Sequence, residues 1–173
     1  MTVAMLGTVL LVALTATSVA ATDPLTDCND NPDPAVQIRG CTEYIAQGQA
    51  DAHNLAIAHV NRAIAHSMTG DTEPALADFA AAIKLDPRSP LAYYNRGSLH
   101  LDTGHYDLAV ADFSAAIRIE PLFALAHYNR GLAHEQLNDR EAAKEDFRRA
   151  LELDPSNEQA QEHLQALQKT SRR

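Results

Sequence analysis

Histidine is a common metal ligand, and this chain of 173 residues contains eight histidines. His59 and His66 are seven residues apart, as are His127 and His134, so each pair would share one face of a helix. Seven residues span two helical turns, about 10 Å, whereas two ligands of one ion on a helix stand four residues apart. We therefore expect neither a metal site nor a cofactor. Histidines outside this pattern, such as His163, are expected on the surface.

Arginine and aspartate recur together at a fixed separation. The pairs are Arg62 with Asp78, Arg96 with Asp112, and Arg130 with Asp146. A cation that is repeated in step with an anion favours ion pairs between neighbouring helices. The alternative is that the arginines bind an anionic partner.

The sequence has no arrangement of residues that is typical of catalysis. It has no glycine-rich phosphate loop and no serine in a nucleophile motif, and neither cysteine is patterned with histidine and asparagine. The formal net charge is -9, with 23 acidic and 14 basic side chains, and such a surface repels phosphate backbones. We expect a protein that is not an enzyme and that does not bind nucleic acid.

The N-terminal segment resembles an export signal. Residues 1–22 carry no charged side chain, and an apolar run is followed by small residues such as Ser18 and Ala20. Cleavage near Ala21 would place the mature protein in the periplasm or outside the cell. The alternative is that residues 1–21 remain as a membrane anchor, because the segment has no Lys or Arg and is nearly long enough to span a bilayer.

The predicted export also bears on the state of the two cysteines. In an exported chain an even number of cysteines favours a disulfide, here between Cys28 and Cys41. The alternative is two free, buried thiols. A C-x-x-C redox motif is absent from the sequence, so the disulfide would be structural.

The elements that position these residues repeat every 34 residues. Pro87, Pro121 and Pro155 show this interval. The same offset aligns a small residue (Ala63, Gly97, Gly131), an alanine (Ala75, Ala109, Ala143), a phenylalanine (Phe79, Phe113, Phe147) and a second alanine (Ala82, Ala116, Ala150). The apolar spacing within each copy predicts two amphipathic helices. Gly70, Gly104 and Asn138 would end the first helix of each pair.

This pattern resembles the tetratricopeptide repeat family, whose unit has 34 residues, over residues 56–157. It departs from the family at three positions, with His59, Tyr93 and His127 at position 4, arginine at position 7, and His66, His100 and His134 at position 11. The resemblance implies an all-α fold, an α-solenoid of antiparallel helix pairs. The histidines would then be packing residues that follow the repeat.

The predicted domain organisation follows from the repeats. It comprises a signal peptide (1–21), an N-terminal arm with a degenerate leading helix (22–55), three repeat units (56–89, 90–123 and 124–157), and a C-terminal capping helix with a tail (158–173). The arm between Asp27 and Cys41 resembles the arms of exported bacterial repeat proteins.

In the resembled family, the first helix of each unit lines a concave groove at positions 2, 5, 6, 9 and 12. Transferred to this chain, those positions are Ile57, Val60, Asn61, Ile64, Ser67, Leu91, Tyr94, Asn95, Ser98, Leu101, Leu125, Tyr128, Asn129, Leu132 and Glu135. The alternative is that the leading helix covers part of this surface. The basic residues with which some co-chaperones of the family clamp a terminal carboxylate are absent, because Val60, Leu125 and Asn129 occupy those places.

The resemblance implies a non-enzymatic adaptor of the bacterial cell envelope that binds a protein or peptide segment in the groove. The alternative function is a self-associating structural scaffold, in which the same apolar surface forms a homo-oligomer. Contact with the membrane is expected only if residues 1–21 stay uncleaved.

Overall fold

The computed structural model describes residues 23–48 and 50–170. Within these ranges all regular structure is α-helical, and the helices are α1 (Pro24–Asp30), α2 (Pro34–Gln47), α3 (Ala52–Thr69), α4 (Thr72–Leu85), α5 (Pro90–Asp102), α6 (Tyr106–Ile119), α7 (Ala124–Gln136), α8 (Arg140–Leu153) and α9 (Glu158–Thr170). None of these helices is long and apolar enough to cross a bilayer. The predicted signal segment lies outside the described residues.

Successive helices form hairpins that stack in chain order. The pairs α3–α4, α5–α6 and α7–α8 correspond to the three predicted repeats, and each pair also contacts the next one. The predicted α-solenoid is therefore confirmed. One difference concerns the N-terminal arm, where residues 24–30 form α1 and pair with α2. Pro24 favours this helix because its ring presets the backbone at the first helical position.

The turns within the repeats confirm the predicted helix ends. Gly70, Gly104 and Asn138 have φ angles of 83°, 78° and 60°, in the left-handed region. This conformation costs glycine little and asparagine less than most residues. At the other end of a helix, the Asp51 side chain accepts a hydrogen bond of 2.8 Å from the backbone nitrogen of Asn54 at the start of α3.

Three phenylalanines and the small residues opposite them form the interior of the repeats. Phe79, Phe113 and Phe147 are at most 1% exposed. At Gly97 and Gly131 a β-carbon would lie only 3.0 Å and 2.7 Å from the ring of the phenylalanine in the same repeat. A side chain at either position would require the phenylalanine ring to shift, so glycine fits the close approach of the helices in these two repeats. The packing role predicted for the small residues is confirmed.

Candidate functional site

Each repeat holds an arginine of its first helix against an aspartate of its second helix. The Arg62 guanidinium donates two hydrogen bonds of 2.7 Å to Asp78. Arg96 binds Asp112 with two bonds of 2.8 and 2.7 Å, and Arg130 binds Asp146 with 2.9 and 2.7 Å. All three aspartates are buried. The predicted ion pairs are confirmed as bidentate pairs, the geometry in which arginine binds carboxylate most strongly.

The third guanidinium nitrogen couples one repeat to the preceding one. Arg62 Nη1 donates to Thr42 Oγ1 of α2, and Arg130 Nη1 donates to Ser114 Oγ of α6, each over 3.0 Å. Arg96 differs, since its guanidinium carbon lies 5.8 Å from the centre of the Tyr93 ring. These internal contacts give the arginines the structural role that the sequence pattern favoured.

Histidines at position 4 complete two of these ion-pair sites. His59 Nδ1 lies 2.8 Å from Asp78 Oδ1, and His127 Nδ1 lies 3.4 Å from Asp146 Oδ1. Burial raises the pKa of Asp78, but hydrogen bonds from Arg62 and His59 outweigh it and lower this pKa to about 2. Burial likewise opposes the hydrogen bonds from His127 and Arg130 at Asp146, and the net effect again lowers its pKa.

His59 and His127 therefore contact buried carboxylates of the repeat interior. In the part of the chain that the structure describes, no group of three or more His, Cys, Asp or Glu side chains could hold a metal ion.

The two cysteines form a disulfide, as predicted, and both are fully buried. It ties α1 to α2, which approach so closely that a β-carbon at Gly40 would lie 2.5 Å from Asp27 Cβ. Beyond this hairpin, α1 reaches the first repeat through a hydrogen bond of 3.0 Å from Asn61 Nδ2 to Asn29 Oδ1.

The predicted groove residues lie on α3, α5 and α7, which adjoin one another in that order. Ile57, Leu91 and Leu125, the position-2 residues, are 41%, 56% and 50% exposed. The remaining predicted residues, Tyr128 excepted, are partly exposed, namely Val60, Asn61, Ile64, Ser67, Tyr94, Asn95, Ser98, Leu101, Asn129, Leu132 and Glu135. We call the α3–α5 junction the first furrow and the α5–α7 junction the second furrow.

Tyr128 corrects the sequence prediction, because it is only 9% exposed and does not line an open groove. Its ring packs 5.8 Å from Phe147 and 6.2 Å from His163 of α9, measured between ring centres. The capping helix α9 therefore covers Tyr128. His163 is held there by two further contacts, since its ring stacks on Phe147 with 5.2 Å between ring centres and its Nδ1 lies 2.8 Å from Glu135 Oε2.

His163 was expected on the surface, and its side chain is 37% exposed, but its contacts with Tyr128, Phe147 and Glu135 were not predicted. It lies 34 residues after Asn129, so extending the repeat offset into α9 identifies it.

Tyr94 fills the second furrow. Its ring centre lies 4.8 Å from that of Phe123 and 5.8 Å from that of Phe113. Asn129 Nδ2 donates a hydrogen bond of 3.0 Å to the Tyr94 hydroxyl, which joins α7 to α5. Tyr94 is therefore partly exposed, as predicted for a groove residue, and also joins neighbouring helices.

The first furrow is open and holds two pockets. A pocket of about 140 Å³ lies among Ile57, Val60, Ser89 and Leu91, and its lining includes Asp86. A pocket of about 240 Å³ lies further along the two helices, where its lining includes Ile64, Ser67, Ser98 and Asp102. These two pockets offer apolar walls with one carboxylate each, which suits the binding of side chains rather than covalent chemistry.

Stacked helix pairs, a repeated ion pair and a surface built from the first helices define a helical-repeat protein. Models of the tetratricopeptide repeat match residues 60–121 and 124–157, and the chain belongs to that family. No curated protein sequence matches the chain significantly.

Solved structures of the same fold include a bacterial, a human and a plant protein. MamA from Desulfovibrio magneticus RS-1, from residue 41 to its end, is 25% identical with a TM-score of 0.74, and the match covers 85% of this chain and 81% of that one. The second tetratricopeptide domain of human RPAP3, in complex with the HSP70 peptide SGPTIEEVD, is 29% identical with a TM-score of 0.65, covering 68% and 98%. The Arabidopsis OM64 domain is 27% identical with a TM-score of 0.66, covering 68% and 98%.

Proposed function

We propose that this protein is an adaptor of the bacterial cell envelope that binds a segment of a partner protein on the surface of α3, α5 and α7. The observation that carries the proposal is the open first furrow, flanked by the exposed side chains of Ile57 and Leu91. Contiguous exposed apolar side chains mark interaction sites. The human RPAP3 domain, which has the same fold and was solved in complex with a peptide, supports peptide binding as the function of this chain.

The partner differs in chemistry from the peptide in that complex. The HSP70 peptide in that complex ends in EEVD, which is acidic. In this chain Val60, Leu125 and Asn129 stand where a carboxylate clamp would need basic side chains. An acidic C-terminal tail would therefore meet no cation at these positions, and we do not propose a chaperone tail as the partner.

The envelope location rests on the sequence of residues 1–22 and is consistent with the buried Cys28–Cys41 disulfide, since disulfides persist in oxidising compartments. Fractionation of cells that express the full gene tests it. We expect the chain in the periplasmic or secreted fraction, shortened by about two kilodaltons if the segment is cleaved. Recovery of the full-length chain in the cytosol would contradict this part of the proposal.

Crosslinking followed by affinity capture from envelope extracts tests the adaptor function. Leu91→Asn replaces an exposed apolar side chain beside the first furrow with a neutral polar one, whereas Leu108→Asn makes the same change on α6, at a side chain with nearly the same exposure. We expect Leu91→Asn to weaken capture of the partners and Leu108→Asn to leave it unchanged, with both melting temperatures near that of the wild type. Undiminished capture of every partner by Leu91→Asn would contradict the proposal.

Sedimentation at low micromolar concentration distinguishes the adaptor from the alternative scaffold. A monomer leaves the surface of α3, α5 and α7 free for a partner. A homo-oligomer that dissociates in the Leu91→Asn variant would instead show that this surface joins copies of the chain.

A further inference from the structure

The first furrow is open because three of its side chains are smaller than those at the same repeat positions in the second furrow. Val60 and Ser89 stand where the second furrow has Tyr94 and Phe123, which fill it and contact each other. Ser67 likewise stands where the next repeat has Leu101, which packs against a buried cluster that includes Phe113. Both pockets of the first furrow are lined by one or two of these smaller residues.

Apart from the exposed His53, the charged side chains that line the two pockets are carboxylates. The smaller pocket is lined by Asp86 and the larger by Asp102, and neither lining contains Lys or Arg. His53 Nδ1 lies 3.8 Å from Asp86 Oδ2. The whole chain carries a formal net charge of -9. A bound segment is therefore favoured when it is cationic at both ends of the furrow.

Two asparagines favour an extended segment, Asn61 in the lining of the smaller pocket and Asn95 in that of the larger one. Asn61 donates its amide nitrogen to Asn29, and Asn95 donates its own to the backbone oxygen of Leu91 over 2.9 Å. Their carbonyl oxygens can accept hydrogen bonds from a ligand. An extended peptide has free backbone N–H groups to donate, whereas the N–H groups of a helix are already used.

The distance between the pockets sets the spacing of the partner's side chains. The pocket linings on α3 are centred about nine residues apart, which corresponds to about 13 Å along a helix. In an extended strand, side chains four residues apart point to the same side and are also about 13 Å apart. Two aliphatic side chains at this spacing would each enter one pocket.

We propose that the first furrow binds an extended, cationic segment of a partner protein with two aliphatic side chains four residues apart. This inference rests on the proposed function and specifies the partner's chemistry.

Fluorescence anisotropy with the full chain tests it, using the labelled peptide Lys-Leu-Ser-Thr-Ser-Leu-Lys. One comparison peptide replaces both lysines with glutamate, and another replaces both leucines with serine. We expect each replacement to weaken binding at least about tenfold. Equal binding of all three peptides, or no binding of the first, would overturn the inference.

A filled variant, Val60→Tyr/Ser67→Leu/Ser89→Phe, gives the first furrow the side chains of the second. In the native protein Tyr94, Leu101 and Phe123 pack at the equivalent positions of the second furrow. Asn95 is placed to donate to the new tyrosine hydroxyl as Asn129 does to Tyr94. We expect an unchanged fold by circular dichroism and at least about tenfold weaker peptide binding. If the variant does not fold, the comparison of the three peptides on the wild type still decides the question.

The two proposals can fail separately. If Leu91→Asn weakens partner capture while the filled variant retains both the partners and the peptide, the adaptor function stands and the inference about the first furrow is wrong. If neither Leu91→Asn nor the filled variant changes partner capture, the adaptor function fails, and the inference fails with it.

Discussion

The two ends of the solenoid are closed by different means. At the C-terminal end, α9 contributes Ala160 and Leu167 to a buried cluster with Tyr128 and Phe147. At the N-terminal end, the buried cluster consists of the disulfide-bonded Cys28 and Cys41 with Ala58, flanked by the partly buried Tyr44 and Ile45. The comparison shows that apolar packing holds one end, whereas the short α1, which buries little apolar surface, is held by a covalent bond.

The largest effect is expected from breaking the C-terminal packing. Phe147→Ala leaves a cavity beneath α9, because this fully buried ring contacts both Tyr128 and His163. We expect a loss of about 3–5 kcal/mol in the free energy of unfolding, measured by urea denaturation. This is a large part of the roughly 5–15 kcal/mol that stabilises a typical domain.

The control for that experiment is Leu122→Ala, since Leu122 is 68% exposed and its truncation removes little buried surface. It should change the free energy of unfolding by less than about 0.5 kcal/mol. A Phe147→Ala variant as stable as Leu122→Ala would show that the C-terminal end does not depend on this packing.

A smaller loss, confined to the N-terminal end, is expected from removing the disulfide. Cys28→Ser/Cys41→Ser opens a loop closed over a sequence separation of 13 residues. Such a loop stabilises a fold by about 2–4 kcal/mol. Hydrogen exchange should accelerate in α1 and α2 but not in α7, α8 and α9. Acceleration throughout the chain would contradict the view that the two ends are held independently.

Reduction of the wild-type protein provides the matched control. It should lower the melting temperature to that of the double serine variant, and reductant should not affect the variant itself. Two free thiols in the unreduced, freshly extracted protein would show that the bond does not form in the cell.

The comparison of the ends also shows which features a sequence can predict. Residues that recur at the 34-residue offset, such as Phe113 and the pair Arg96–Asp112, have the roles that their repetition predicted. Tyr128 was assigned wrongly because its cover comes from α9, whose sequence does not show the repeat pattern clearly. The helical arm was missed because seven residues are too few to show an amphipathic period.

The two pockets arise from residues that differ between repeats, not from the residues that the repeats share. The alignment does show that Val60 and Ser89 replace larger residues of the next repeat, but only the packing of Tyr94 on Phe123 reveals that this space is otherwise filled. Residues that recur at the repeat offset therefore predict the scaffold, and departures from the repeat predict where the two pockets open.

Acid is expected to weaken the ion pairs of the buried aspartates. The first and third repeats both hold such an aspartate between an arginine and a histidine. The pKa of Asp78 is about 2 in the folded protein, below the value of about 3.9 for an unfolded chain. A lowered pKa stabilises the fold above the unfolded value, and this contribution disappears as the pH falls from about 4 to about 2. We expect Asp78 to contribute about 2 kcal/mol of that loss, measured by urea denaturation across this pH range.

The Asp78→Asn variant checks this assignment. It should be less stable at pH 7, because Arg62 and His59 lose the charge of their partner. It should also lose less stability than the wild type between pH 4 and pH 2. Identical pH dependence in both proteins would assign the acid sensitivity to other carboxylates, such as Asp146.

The smallest effect is expected at the contact between α1 and the first repeat. Asn29→Ala removes the hydrogen bond from Asn61, which lies on the exposed surface and competes with water. With the disulfide intact, the free energy of unfolding should fall by no more than about 0.5 kcal/mol. In the Cys28→Ser/Cys41→Ser background, hydrogen exchange of α1 should respond more strongly to the same substitution, because the amide contact then has no covalent bond beside it. A loss above about 1 kcal/mol in the oxidised protein would show that this amide contact, and not the disulfide alone, holds the N-terminal end on the repeats.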